Sequence, residues 1–144
     1  MSSTMSLSDV RDCLEGVLPA VIATCSAAGV PNVTYLSKVR YVDQEHIALT
    51  NQFFSKTVEN IEQNPRAQIT LLRPRTGQQV RLDVCFVRRE ASGNLFEQLR
   101  AELDAIASLM GMQGVFRLKS ADVYRVIRCE PVPSDLDADH DQQR

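Results

Sequence analysis

NQFFSKTVENIEQNPRAQITLL, residues 51 to 72, decides how this chain folds. A strand ends at Asn51, Ser55-Lys56-Thr57 opens a short helix, Asn64-Pro65 closes it, and a new strand begins at Ala67. Ser and Thr are favoured helix N-caps, and proline halts a helix at the residue before it. The first turn of such a helix carries N–H groups with no intrahelical partner. Two hydroxyls and one ammonium beside those groups suit them to hold a phosphate. A plainer reading stays open, in which Ser55 and Thr57 only cap the helix and Lys56 is a solvated side chain. Lys56 discriminates, because a cation at the positive end of a helix dipole is unfavourable unless an anion lies near it.

Outward from this stretch the pattern is mostly β. Upstream, Leu7, Val10, Leu14 and Val17 recur at helical spacing, with Ser6 or Ser8 as a cap and Gly16 at the stop. Strands are expected over 18–26 and 33–42, joined by the turn signal Ala28-Gly29-Val30-Pro31-Asn32. Asp43-Gln44-Glu45 turns the chain into a strand over 46–51, and His46 is expected in or beside that turn. Downstream come strands over 67–72 and 78–89, separated by Arg73-Pro74-Arg75-Thr76-Gly77. Asn94 and Glu97 read as a capping box, and Leu95, Leu99, Leu103, Ile106 and Met110 as one apolar helix face ending at Gly111. A last strand is expected over 115–129. About six strands joined by short turns, with short helices inserted, predict a mainly β fold, a small antiparallel barrel.

At 144 residues the chain is one domain's worth. The division expected is a single domain over 1–129 and a tail over 130–144. That tail (EPVPSDLDADHDQQR) holds five acids and one Arg, a net of −4, so the overall −2 leaves +2 for the rest. With two prolines and no apolar periodicity it reads as solvated and flexible. A hydrophobic fraction of 44% and a charged fraction of 24% are those of an ordinary globular chain. There is no basic stripe, so no nucleic-acid partner is expected. The longest apolar run, 17–23, is too short to span a bilayer, and the opening MSSTMSLSD lacks signal-peptide features. No membrane association is expected, and the cytoplasm is the expected location.

Cys13, Cys25, Cys85 and Cys129 form no CxxC pair, and His46 and His140 stand at no metal spacing, so no metal site is expected. Nucleophile elbows, HExxH, Walker loops and GxGxxG are all absent from the sequence. No catalytic residue is identifiable, and an enzyme built on this chain would draw its reactive atom from a cofactor. In the strand over 33–42, alternation sets Tyr35, Ser37, Val39 and Tyr41 on one face and Leu36, Lys38 and Arg40 on the other. One face is core and the other solvent, unless a ligand lies along the strand. Its backbone groups would then read polar ring edges, and Lys38 or Arg40 would meet negative charge.

Thr50-Asn51, Ser55-Lys56-Thr57, Ile61-Glu62-Gln63-Asn64-Pro65-Arg66-Ala67 and Gln79-Val80, in that order and spacing, resemble the FMN-binding core of the pyridoxamine 5′-phosphate oxidase-like split-barrel family. The likeness runs from about Val33 to Val80. It implies an FMN-binding split barrel and a homodimer with the flavin at a two-fold interface. Position by position, it implies that Ser37, Lys38, Val39 and Arg40 lie along the flavin ring and ribityl chain. Thr50 and Asn51 match the family's strand end, Ser55, Lys56 and Thr57 its phosphate-binding trio, and Gln79 a Gln near the flavin.

This sequence departs from the family in three ways: one extra residue between Asn51 and Ser55, Lys-Thr where two cations are common, and no Trp. The vitamin B6 oxidases end in a Trp- and Arg-bearing segment that closes over the substrate phosphate, a pattern that 113–129 does not repeat. The resemblance therefore implies a related FMN-dependent oxidoreductase acting on an unknown small molecule, rather than pyridoxamine-phosphate oxidation. A non-catalytic flavin- or haem-binding module and a cofactor-free β-barrel interaction protein are the other readings.

Overall fold

Alternating apolar residues along seven strands build one antiparallel sheet in the computed structural model, which describes residues 5–14, 20–36, 38–52, 55–115 and 117–133. The strands are β1 (Ala20–Cys25), β2 (Pro31–Leu36), β3 (Val39–Tyr41), β4 (His46–Asn51), β5 (Arg66–Leu72), β6 (Gln79–Glu90) and β7 (Ser120–Pro131). Helix α1 (Lys56–Gln63) joins β4 to β5, and α2 (Asn94–Leu109) joins β6 to β7. Strand order across the sheet is β2-β1-β5-β6-β7-β4-β3.

The sheet is curled, and its two long strands show how. Register slips by one residue between Asp83 and Val84 and again between Phe86 and Arg88, where β6 meets β7. Such bulges bend a strand and increase its twist. Ile22, Leu36, Val39, Ile47, Leu49, Ile69, Leu71, Val80, Leu82 and Val84 fill the concave side. Two short 3-10 turns over Leu7–Leu14, broken by a kink at Val10, add Leu7, Val10 and Leu14 to that cluster. A second, smaller cluster forms on the convex side, where Leu99 and Leu103 of α2 lie on Ala48 of β4 and on Ala121 and Val123 of β7. Strand β4 is therefore covered on both faces, which explains its run of five buried residues after His46.

Seven strands replace the expected six because the strand over 33–42 is two. Leu36 and Val39 both face the interior although they are three residues apart, which one continuous strand cannot do. The expected grouping of Leu36 with Lys38 and Arg40 on one face is thus corrected: Leu36 and Val39 are core, and Tyr35 is exposed. Between them the chain crosses from β2 at one edge of the sheet to β3 at the other.

The expected capping box at α2 does not form. Gly93, with φ of 98°, takes the cap position and Asn94 becomes the first helical residue, so no side chain caps this end. Positive φ with extended ψ is open to glycine alone at little cost. The buried stripe of α2 is Leu99, Leu103 and Ala107, and Met110 is exposed, because the alanine-lined surface beneath accepts one narrow ridge. At the other end, β7 begins at Ser120 instead of residue 115, after a turn that includes Gly111 and Gly114. It continues through Pro131, and Val132 N–H donates to the Gln79 carbonyl at 2.9 Å. Residues 134–144 of the acidic stretch lie outside the described residues.

All four cysteines are free; Cys13 and Cys129 are buried, Cys25 and Cys85 half-buried. Burial, reinforced by the neighbouring Cys13, pushes the Cys129 thiol up to about 11. It behaves as a small apolar side chain in this core.

Candidate functional site

Helix α1 begins where the quoted stretch places it. Ser55 is its N-cap residue, and Asn64 closes it. The Ser55 hydroxyl makes no capping bond, so it remains exposed and unspent beside the free N–H groups of the first turn. Lys56 is also exposed, its Nζ 3.5 Å from Glu59 Oε2 one turn on, a pairing too long and too solvated to fix it. Thr57 differs: its side chain is buried and its hydroxyl oxygen accepts a bond from Asn32 Nδ2 at 3.4 Å. Of the trio, Ser55 and Lys56 offer side chains to solvent, and Thr57 offers its backbone.

The helix is held to the β1–β2 hairpin by polar contacts. Asn60, fully buried, donates to Thr24 Oγ1 at 3.1 Å, and Gln63 Oε1 accepts from Ala27 N–H at 2.9 Å. These bonds fix α1 on the hairpin, and its N-cap Ser55 follows the end of β4 by four residues in the chain.

At that end, Thr50 and Asn51 are both buried. Thr50 Oγ1 lies 3.2 Å from Lys38 N–H and 3.3 Å from the Lys38 carbonyl, which ties β4 to the start of β3. Asn51 Nδ2 lies 3.4 Å from Asp122 Oδ2, and Asn51 Oδ1 is buried without a donor. Asp122 is itself buried. Its carboxylate accepts from Ser120 Oγ at 2.7 Å and from Arg89 Nε at 3.1 Å. Sequence reading passed over Asp122; the signal was a lone acid between Ala121 and Val123 in an alternating strand.

Strand β3 is an edge strand, paired only with β4. Lys38 and Val42 bond toward Thr50 and His46, so by alternation the peptide groups of Val39 and Tyr41 point to the open edge. The side chains of Lys38 and Arg40 are engaged elsewhere: Lys38 Nζ donates to the Leu14 carbonyl at 2.8 Å, and Arg40 forms an ion pair with Glu102 of α2. Ser37 lies outside the described residues.

Gln79 stands apart from the rest. It opens β6 and is exposed, whereas Asn51 pairs with Ser120 at the end of the sheet where β6 finishes at Glu90. Glu90 lies eleven positions beyond Gln79, roughly 35 Å along the strand. Pairing of β3 with β4 thus brings Lys38, Val39, Arg40, Thr50 and Asn51 together, the first turn of α1 follows Asn51 closely in the chain, and Gln79 lies at the far end of β6.

The donor set fits a phosphorylated ligand with a polar ring: unpaired helix N–H groups, an unspent hydroxyl and a solvated ammonium at one end, an open strand edge and a buried unpaired amide oxygen at the other. No group of three or more potential metal ligands is found among the described residues. No helix among them is long and apolar enough to cross a membrane.

Comparison with known proteins identifies the family and the fold. Residues 7–127 match the family described as pyridoxamine 5′-phosphate oxidase. An FMN-binding protein from Syntrophomonas wolfei subsp. wolfei has a similar structure, with a TM-score of 0.75 at 16% identity, over 89% of this chain and 86% of that one. HupZ of Group A Streptococcus is similar at a TM-score of 0.66 and 22% identity, over 90% and 96% of the two chains. HutZ, the haem storage protein of Vibrio cholerae, gives 0.54 and 18%, over 89% and 91%. No curated protein matches the sequence. At these identities the structural likenesses speak for the fold, and the family match speaks for descent. This chain belongs to the pyridoxamine 5′-phosphate oxidase family, and its curled seven-stranded sheet is that family's split β-barrel.

Proposed function

We propose that this protein binds FMN and works as a cytoplasmic flavin-dependent oxidoreductase on a small molecule. The observation that carries the reading is the first turn of α1, whose N–H groups and Ser55 hydroxyl are unspent and whose Lys56 ammonium has only an exposed 3.5 Å contact with Glu59, a few residues after the buried Asn51 amide. Ser55, Lys56 and the backbone of Thr57 would hold the phosphate. The outward peptide groups of Val39 and Tyr41 would pair with the polar edge of the ring, and Asn51 Oδ1 would accept from a ring or ribityl donor. Bound FMN supplies reversible hydride exchange at its N5, chemistry that no side chain provides. The chain's own part is to fix position and exclude water. A non-catalytic flavin- or haem-binding module is the second reading, favoured by the likeness to HutZ. An absorbance spectrum separates flavin from a haem Soret band, and nicotinamide turnover separates enzyme from module.

Lys56→Ala tests the phosphate assignment. Because Lys56 is largely solvated, its loss is expected to weaken FMN by about 1–2 kcal/mol, the low end for a charge-assisted bond. Riboflavin, lacking the phosphate, should bind as before. Equal FMN affinity for wild type and variant, by fluorescence titration at low salt, removes Lys56 from the site.

The position of Gln79 supports a second copy of the chain as partner, since a two-fold mate can bring its Gln79 to a ring that this chain's own Gln79 does not approach. An apolar surface for such a mate exists on β2, where Val33 and Tyr35 are 64% and 76% exposed. Val21 and Ala23 of β1 lie next to them in register. Sedimentation at micromolar concentration is expected to give a dimer. A monomer that binds FMN at full affinity would overturn the shared site.

A further inference from the structure

The turn that leaves α2 for β7 is anchored at both ends and apolar between them. Ala107 and Leu118 are buried, whereas Leu109, Met110 and Val115 are 83%, 58% and 53% exposed. Gly111, at φ 67°, closes the helix, Met112 N–H donates to the Ala107 carbonyl at 2.7 Å, and Val115 N–H donates to the Met112 carbonyl at 3.1 Å. Turns that only reverse a chain favour Gly, Pro, Asn, Asp and Ser. This one sets Leu, Met and Val toward solvent, and apolar side chains gathered in that way mark a contact surface.

Its charge is one-sided. From Ala105 to Lys119 the chain carries two cations and no acid. Arg117 and Lys119 are exposed, and neither pairs with a carboxylate among the described residues. Lys119 is fixed at the base of the turn, where its N–H donates to the Asn51 carbonyl at 2.8 Å. A two-fold contact between copies of this turn would set the cations against their own images, with no acid in the segment to pair them. An anionic surface with an apolar layer beneath it meets both features at once.

We infer that this turn docks on an anionic lipid surface, with Leu109, Met110 and Val115 entering the boundary between headgroups and acyl chains and Arg117 and Lys119 meeting the headgroup anions. Surface docking needs no membrane-spanning segment. None of these five residues takes part in the contacts proposed for FMN, so the docking stands or falls separately from the flavin reading.

Co-sedimentation of the full chain with vesicles tests it, using phosphatidylcholine alone and phosphatidylcholine mixed with phosphatidylserine. Binding is expected to the mixed vesicles, to weaken as salt rises, and to be about tenfold weaker to phosphatidylcholine alone. The pair Leu109→Ser with Met110→Ser, and separately the pair Arg117→Gln with Lys119→Gln, should each reduce binding to the mixed vesicles by about tenfold. All four positions are exposed, so both pairs should keep the wild-type thermal midpoint. No binding to the mixed vesicles, equal binding to both vesicle types, or wild-type binding by either pair overturns the inference. So does a loss of self-association in the Leu109→Ser, Met110→Ser pair, by sedimentation without lipid, which would make a second copy the occupant. If either pair loses its thermal midpoint, the salt dependence of the wild type decides, and binding that salt does not weaken overturns the inference.

Discussion

Leu82→Ala is expected to destabilise this protein by about 3–5 kcal/mol, the upper range for truncating a buried leucine. Leu82 is fully buried on β6, paired with Ile69 of β5 on one side and with Cys129 of β7 on the other. All three face the concave side of the sheet. Its neighbours are strand-borne and hydrogen-bonded on both edges, so they cannot collapse into the space the side chain leaves. A domain of this size has about 5–15 kcal/mol in total, so the variant should unfold at much lower urea. Leu109→Ala is the control: at 83% exposure it should change stability by no more than about 0.5 kcal/mol. A cost below about 1 kcal/mol for Leu82→Ala, at unchanged denaturant slope, would mean that the concave side is not the packed core.

Asp122→Ala is expected to cost about 2–4 kcal/mol, and unlike the leucine variant it should also reach the proposed flavin site. The carboxylate is buried and gathers donors from Ser120, Arg89 and Asn51. Removing it strands the Ser120 hydroxyl and the Asn51 amide in the interior, which carries the desolvation penalty of each. Arg89 keeps about a third of its side chain in water, so its charge can be rehydrated, which holds the cost below that of a wholly buried pair. Asp122→Asn retains shape and part of the bonding and should lose roughly half as much. Because Asn51 loses its anchor, FMN affinity should fall in Asp122→Ala but stay unchanged in a surface control such as Leu109→Ala. Full thermal stability in Asp122→Ala would show that water takes over the carboxylate's role.

Much of this was legible in the chain. The strand-helix-strand order across 51–72 follows from local signals, the Ser55 start, the Asn64-Pro65 stop and the apolar alternation beyond, and α1 and β5 form where those signals place them. Capping preference and proline geometry act over three or four residues, so a sequence carries them whole. Where a local preference met a stronger backbone constraint, the sequence misled: Asn94 and Glu97 spell a capping box, but Gly93 at positive φ occupies the cap. The period of the strand over 33–42 misled in another way, because alternation says nothing of a crossing that shifts the pattern between Leu36 and Val39.

By itself, then, the sequence determined the β-rich pattern, the placing of α1 with Ser55 and Lys56 at its mouth, and membership of a flavin-binding family, since all three rest on residues close together in the chain. The tertiary structure alone decided which groups stand unspent. It turned Thr57 inward onto Asn32, set Glu102 of α2 against Arg40 of β3, buried Asp122 beneath Asn51, and sent Gln79 to the far end of β6. These pairings join residues 25 to 71 positions apart. Contacts at such separations depend on how the sheet curls and which face each helix covers, and no local periodicity encodes either.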